Sequence, residues 1–286
     1  MNNILITGAG YLSSNLLLRL CMDEYANIYN NIVVISRGEK EQHELKLKLH
    51  SDKIKFILCD IRNNDRLTKI LINNNIKIVI HTGALKRIDN SNYENIEEMI
   101  SINYKASLFL AMICKELNIK VFLVSTDKAV QPINLYGFTK MLSELEFLKY
   151  EHNVFRFGNI RGSTGSVLSH WNNGGLDLVD KPEKTRRFFI DVEEAVKFII
   201  KNLDTQLKSC IFIPLTLSVS MKELWDDFNI GGRVQYKTIK LSKIEKRREI
   251  LINKNESLRS VKDETGYIIY PIKNALTSKI EFELIA

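Results

Sequence analysis

Asn3-Ile4-Leu5-Ile6-Thr7-Gly8-Ala9-Gly10-Tyr11-Leu12-Ser13 opens the chain with a short apolar run that passes through two glycines into a helical pattern. The run is continuous, as in a strand covered on both faces, and helical periodicity then holds from Leu12 to Cys21. In such a strand–turn–helix unit the glycines let the backbone turn tightly and approach a dinucleotide pyrophosphate, which the unpaired N–H groups of the helix start can hold. Thr7, Gly8, Gly10, Tyr11 and Leu12 are therefore candidate cofactor contacts. The pattern Gly-x-Gly-x-x-Ser lacks a third glycine, although Ser13 is small enough to keep the helix close to the strand. A simple strand–helix turn is the plainer alternative.

Outward from this turn the alternation repeats. Strand-like runs lie at Asn31 to Ile35, Lys55 to Cys59, Lys77 to Ile80 and Val121 to Val124, with helical stretches such as Arg66 to Ile72 and Ile96 to Leu117 between them. The order implies an α/β fold, a doubly wound parallel sheet of Rossmann type with right-handed crossovers. After about Arg156 the pattern loosens, and Gly and Asn become denser. Helical stretches return at Val192 to Leu203 and Met221 to Phe228. We expect a cofactor-binding domain over 1–155 and a smaller substrate-binding region over 156–286, interleaved with the first. Four prolines and no Ser/Gly tract argue against independently mobile domains.

At 286 residues, 45% hydrophobic and 26% charged, the chain can bury a substantial core. The net charge of +7 is spread along the sequence, which fits a solvated surface better than nucleic-acid binding and leaves room for an anionic substrate. Cys21, Cys59, Cys114 and Cys210 are isolated and the five histidines have no ligand spacing, so no metal or disulfide is expected. No apolar run is long enough to cross a bilayer. The first strand begins almost at once, so we expect no signal peptide, no membrane partner and a cytoplasmic location.

The second strand ends in Ile35-Ser36-Arg37, with Lys40 just beyond. An acidic residue here suits the ribose hydroxyls of NAD, whereas an arginine suits a 2′-phosphate. The cofactor is read as NADP, held by Ser36, Arg37 and Lys40; the alternative is that Arg37 is merely a surface cation. After the third strand, Asp60-Ile61 stands where a carboxylate can accept from the adenine amino group.

Ser125-Thr126-Asp127-Lys128-Ala129 follows the fifth strand directly, and Tyr136-Gly137-Phe138-Thr139-Lys140 comes soon after. Tyr136 and Lys140 are four apart and share a helix face. An ammonium there favours phenolate, so the tyrosine pKa is expected to fall towards working pH and give a usable base. The lysine can also bond the nicotinamide ribose. Asp127 and Lys128 add a second acid/base pair at the carboxyl end of a strand, where ligands of open parallel sheets bind. Hydride transfer alone would not need them, so the pair points to elimination; a structural ion pair is the competing reading.

With these motifs in place, the chain resembles the inverting UDP-N-acetylglucosamine 4,6-dehydratases, extended short-chain dehydrogenases/reductases of bacterial polysaccharide and flagellin-sugar synthesis. The resemblance runs from about Ile4 to Pro271 and is most specific from Val124 to Lys140. Ser36-Arg37, Ala84-Leu85-Lys86, Arg156-Phe157-Gly158-Asn159 and Gly162 to Val167 support it, as do Arg187 to Ile190 and Glu245-Lys246 with Glu249. It implies that Tyr136 takes the proton of the sugar 4-hydroxyl while hydride passes from C4 to NADP⁺. Lys128 then removes the C5 proton, Asp127 protonates the departing 6-hydroxyl, and hydride returns to C6. Reprotonation of C5 from the other face gives a 4-keto-6-deoxy sugar inverted at C5.

By the same resemblance, Thr126 joins the catalytic set. Thr82, Gly83, Ala84, Val124, Ser125 and Ile160 line the cofactor, and Lys86, Thr126, Asn159, Ser166, Val167, Arg187 and Glu249 meet the UDP-sugar. Long membrane-anchored retaining relatives tend to carry Met at the position of Tyr136. The chain departs from the family in a glycine turn shorter by one residue, in a displaced lysine after Arg37 and in a shortened segment before Val154. Ser242-Lys243-Ile244 replaces Arg-Pro-Gly, so the diphosphate anchor is expected at Lys243, Arg247 or Arg248. A homo-oligomer is expected, with helices Ile96 to Leu117 and Leu135 to Tyr150 as partner faces. Two other readings stay open: a nucleotide-sugar 4-epimerase or 4-keto reductase, and a non-catalytic dinucleotide-binding protein. Fold alone does not separate them.

Overall fold

A computed structural model of the chain describes residues 2–22, 25, 29–49, 51–86, 95–163, 165–229 and 235–272. The first half alternates β1 (Asn2–Thr7), α1 (Tyr11–Leu20), β2 (Tyr29–Ser36), α2 (Glu39–Lys48), β3 (Ile54–Leu58), α3 (Asn64–Asn73) and β4 (Ile76–His81). A helix then runs as α4 (Ile96–Met99), a π-helical segment (Ile100–Lys105) and α5 (Ala106–Glu116), before β5 (Lys120–Thr126), α6 (Leu135–Lys149) and β6 (Asn153–Phe157). All five early strands fall where continuous Ile/Val runs put them. α2 had no such signal, because its sequence has no apolar stripe and only Gln42 and Leu45 are buried on it.

The second half contains β7 (Asn159–Ile160), α7 (Val167–Asn172), β8 (Asp177–Val179), β9 (Arg186–Ile190), α8 (Val192–Asn202) and β10 (Ile211–Pro214). It continues with β11 (Leu217–Ser220), α9 (Met221–Phe228), β12 (Lys237–Ile239), α10 (Lys254–Ser257), β13 (Ser260–Lys262) and β14 (Gly266–Ile269). Among the described residues no helix is long and apolar enough to cross a membrane.

The central sheet has the order β13-β14-β10-β6-β5-β4-β1-β2-β3. The strands from β3 to β10 are all parallel, and β14 pairs antiparallel with β10. One face of the sheet packs on α1, α2 and α8 through residues such as Leu16, Leu45 and Ile199; the other packs on α3, α5 and α6 through Leu67, Leu110 and Phe147. Coverage of both faces explains why the strands are apolar throughout. A boundary at 155/156 falls inside β6, and β10, β13 and β14 complete the sheet that the first half begins. What stands apart is the small sheet β11-β9-β7, the pair β12-β8, and α7 and α9, packed around Trp171, Phe189 and Trp225.

The order 3-2-1-4-5-6 is a doubly wound sheet whose direction of progression reverses beside β1, and ligands of such sheets bind at the carboxyl ends of the strands near that reversal. Thr7 at the end of β1, His81 at the end of β4 and Thr126 at the end of β5 all lie on this edge.

Candidate active site

The end of β5 sets the chemistry. Thr126 is extended and caps a short 3₁₀ turn, Asp127–Ala129, accepting from the Lys128 amide at 3.4 Å. Its hydroxyl donates to Asp127 Oδ1 at 3.0 Å, and Lys128 Nζ donates to the same oxygen at 3.0 Å. Asp127 is fully buried, yet its Oδ2 has no hydrogen-bond partner among the described residues. A buried carboxylate oxygen without a partner is costly, so it marks a place where a ligand hydroxyl can complete the shell. Lys128 Nζ also donates to Asn159 Oδ1 at 3.2 Å, which brings a residue of β7 onto the pair.

Helix α6 delivers Tyr136 to this turn. Asn134 caps it by accepting from the Gly137 amide at 2.8 Å. A Cβ at Gly137 would lie 2.3 Å from the carbonyl oxygen of Lys128, so the helix reaches the turn only because that side chain is missing. Tyr136 is thereby hydrogen-bonded to the Thr126 side chain and stands beside Asp127. Burial pushes the phenol pKa up and the Asp127 carboxylate adds to the rise, while the bond with Thr126 opposes it. This corrects the expectation of a lowered tyrosine. Lys140 Nζ donates to the Val124 carbonyl at 2.8 Å, and burial pushes its own pKa down to about 8 against the pull of Glu144. Burial thus drives both members of the Tyr136–Lys140 pair towards their neutral forms.

The glycine turn leaves open space at the start of α1. Gly8 has φ +93° and its amide donates to the Ile35 carbonyl at 2.7 Å. Gly10 forms the N-cap of α1 with no side-chain cap, and nothing lies within 4 Å of where its Cβ would point. Open space in front of unpaired helix N–H groups fits a pyrophosphate. Ser13 is buried and bonds back to the Gly10 carbonyl at 3.0 Å, filling the place of the third glycine without pushing the helix away. Tyr11 packs its phenol over Gly162.

Across the turn, Thr82 Oγ1 donates to the Thr7 carbonyl at 2.5 Å, the Gly83 amide donates to Thr7 Oγ1 at 3.3 Å, and His81 Nδ1 lies 2.6 Å from Thr7 Oγ1. Asn103, on the π-helical segment, holds both the amide and the carbonyl of Leu85, beside Ala84, and so fixes the loop after β4. Ser125 Oγ, next to Val124, is buried without a partner among the described residues. These features fit a nicotinamide dinucleotide lying from β1 to β5.

At the adenosine end, Arg37 is half exposed, 3.3 Å from Glu98 and 3.8 Å from Asp60. Arg62 bonds both oxygens of Asp60 and also Glu98 at 2.7 Å, and these contacts hold the Asp60 carboxyl below the usual range. Arg62 and Glu98 were not legible as site residues, because their partners lie far from Glu98 in sequence. Ser36 accepts from Gln42 at 2.9 Å. Lys40 does not join the group: it is 85% exposed on α2, facing Glu44.

On the substrate side the residues separate. Arg187 is tied to the Arg247 carbonyl at 3.1 Å and to Glu245 at 3.4 Å. Glu249 is buried 3.3 Å from Lys246, whose ammonium donates to the Val130 carbonyl at 2.6 Å, so this segment is stitched to the turn after β5. Ser166 caps α7 ahead of Val167, Ile160 pairs with Ile190 at the small sheet, and Lys86 is exposed at the end of the β4 loop. Of the three expected diphosphate anchors, Arg247 is already committed to Asp180 at 2.7 Å and Thr185 at 3.2 Å. Lys243 and Arg248 are exposed.

Several known proteins share this sequence and shape. An inverting UDP-N-acetylglucosamine 4,6-dehydratase of Campylobacter jejuni strain 81-176 is 28% identical over 99% of this chain and 86% of its own length. A UDP-glucose 4-epimerase of Rickettsia canadensis is 27% identical over 94% and 82%. Pen from Bacillus thuringiensis superposes with a TM-score of 0.85 at 24% identity over 95% of this chain and 88% of its own. DesIV, a dTDP-glucose 4,6-dehydratase from Streptomyces venezuelae solved with NAD bound, gives 0.76 at 17% identity over 86% and 87%. These two structures are similar to the chain in fold. The sequence pattern of one family matches residues 4–271, nearly the whole chain, and the chain belongs to that polysaccharide biosynthesis protein family.

Proposed function

We propose that this chain is an inverting UDP-N-acetylglucosamine 4,6-dehydratase using NADP. The observation that carries the reading is the Asp127–Lys128 pair with its unpartnered Asp127 Oδ2, set beside Tyr136. Tyr136 exchanges a proton with the sugar 4-hydroxyl, and the positive charge of Lys140 one helical turn away stabilises the phenolate. A nicotinamide dinucleotide held at the Gly8–Gly10 turn and beside Lys140 would supply the hydride exchange with C4 and C6. Lys128 removes the C5 proton, which the 4-ketone has made acidic, and Asp127 delivers a proton to the leaving 6-hydroxyl. Asn159, accepting from Lys128 Nζ at 3.2 Å, aims that group, which acts as the neutral amine when it takes the proton. Two proton handlers in contact are what elimination needs; a 4-epimerase or 4-keto reductase would leave them idle.

The C. jejuni relatives' named activity supports the same substrate, and NAD in structures of similar fold supports a nicotinamide dinucleotide. The preference for NADP rests on Arg37, with Arg62 beside it. Charge-assisted bonds to a phosphate contribute about 1.5–3 kcal/mol, so R37A should weaken NADPH binding roughly tenfold or more and barely change NADH. Equal losses for both would refute the preference. The reading carries with it a cytoplasmic location and a homo-oligomer.

The test is to incubate the protein with UDP-N-acetylglucosamine in deuterated water and follow the sugar by NMR. Loss of the 6-hydroxyl with deuterium at C5 is expected, and an intact C6 with altered C4 would point to epimerisation instead. K128A should stop deuterium entry at C5 while binding NADPH normally; exchange persisting in that variant would assign the base elsewhere.

A further inference from the structure

The proposed chemistry needs a charged ammonium at Lys140, yet that side chain is 2% exposed and burial works against its charge. One turn further along the same buried face lies Glu144, 4% exposed. The carboxylate is not free to wander. Arg156 on β6, itself 2% exposed, donates to Glu144 from Nε at 3.1 Å and from Nη2 at 2.6 Å. The same guanidinium donates to Glu256 at 3.1 and 2.8 Å and to the Leu251 carbonyl at 2.7 Å, and Glu256 in turn accepts from the Asn253 amide at 2.9 Å. Glu144, Arg156 and Glu256 thus form a buried hydrogen-bonded cluster one helical turn from Lys140, with the guanidinium fully used.

Other ionisable groups face this set. His81 on β4 feels the Lys140 charge and is held neutral by burial. Tyr136 lies on α6 itself, Asp127 is on the turn after β5, and Arg259, after α10, feels both Glu256 and Arg156. Tyr104, on the π-helical segment, turns instead to Glu146 at 3.5 Å. Glu144 is the anion on the catalytic helix whose charge bears on Lys140.

We propose that Glu144 is a positioning residue: locked in place by Arg156, its carboxylate keeps Lys140 an ammonium at the nicotinamide-ribose site. The Val124 carbonyl fixes where that ammonium points, and Glu144 keeps it charged. The inference rests on the reading of Lys140 given above, and it makes the salt-bridged face of α6 part of the site.

The test compares E144Q with E256Q. Both weaken the same buried cluster and both should lower the melting temperature. Only E144Q removes the charge next to Lys140. NADPH binding, followed by its fluorescence across alkaline pH, should fade in the wild type near pH 8, where Lys140 loses its proton. In E144Q that limb should move down by about one unit, leaving about fivefold weaker binding at pH 8. In E256Q it should stay put. E144D, which withdraws the charge by one methylene, should move the limb less, and it stands in for E144Q should that variant not fold. A limb unmoved in the glutamate 144 variants, or moved alike by E256Q, would overturn the proposal. Turnover of UDP-N-acetylglucosamine is measured in the same buffers. A wild type that binds NADPH with this limb but leaves the sugar untouched would sink the dehydratase reading and keep the role of Glu144.

Discussion

Gly8 has φ +93° and faces Thr82 Oγ1 and Gly83 Cα at 3.0 and 3.3 Å from an ideal Cβ, whereas Gly10 faces open space. Alanine at the two positions should therefore fail in different ways. G8A forces a side chain into a disfavoured backbone region and should cost about 1–3 kcal/mol of stability. G10A should leave the melting temperature unchanged and still weaken dinucleotide binding, because its methyl occupies the space in front of the helix N–H groups. Titration calorimetry and thermal melts on both variants decide it; a G10A protein that binds normally would move the pyrophosphate elsewhere. At this scale the sequence was informative where chemistry is local. Asp127, Lys128, Tyr136 and Lys140 are neighbours in the chain and could be read by spacing. The partners of Arg156 lie on α6 and α10, and those of Glu98 lie beyond β2 and β3, so only the fold brings them together. The raised phenol pKa was missed for a related reason: burial, which spacing does not reveal, outweighs the helix neighbour.

Helix α6 has two faces with different duties. One carries Tyr136 and Lys140 to β5 and, further along the same stripe, buries Ser143 and Phe147 against the sheet and α5; the other leaves Phe138, Leu142 and Leu145 at 46%, 39% and 56% exposure. These last three recur at helical spacing, and Met112 on α5 is 38% exposed as well. Apolar stripes of this kind mark association surfaces. L145E should convert the expected homo-oligomer to a monomer by light scattering while the far-UV spectrum is kept; an unchanged mass would place the contact elsewhere. Elements were legible in proportion to their periodicity. β1 to β5 are continuous apolar runs, but β10 is four residues long and ends in Pro214, so nothing in its sequence announces a strand in the main sheet. Periodicity revealed a helix over Ile96 to Leu117 but not the π-helical turn at Ile100–Lys105 within it, and it is that turn that places Asn103 on the loop after β4.

Across the whole molecule the buried groups set how stability responds to pH. His81 is fully buried between Thr7 and Ser107, and burial, with the Lys140 charge, pushes its pKa down to about 3. The unfolded chain takes up that proton near its ordinary pKa of about 6.5. The contribution is therefore complete above about pH 6.5 and is lost as pH falls towards 3, by up to about 1.4 kcal/mol per unit. H81Q, less stable at neutral pH, should show a shallower acid slope in urea melts than the wild type; parallel slopes would mean that the imidazole is not neutral in the folded state. The same wholeness bears on synthesis. When β6 leaves the ribosome the turn after β5, α6 and six parallel strands are already made, but the outer edge of β6 has no neighbour until Ile211–Pro214 emerge. Until then the nascent chain carries an open strand edge, the kind of surface that pairs with any passing strand. A fragment ending at Phe157 would contain every group of the acid/base cluster and still be a poor protein, prone to sticking rather than to catalysis.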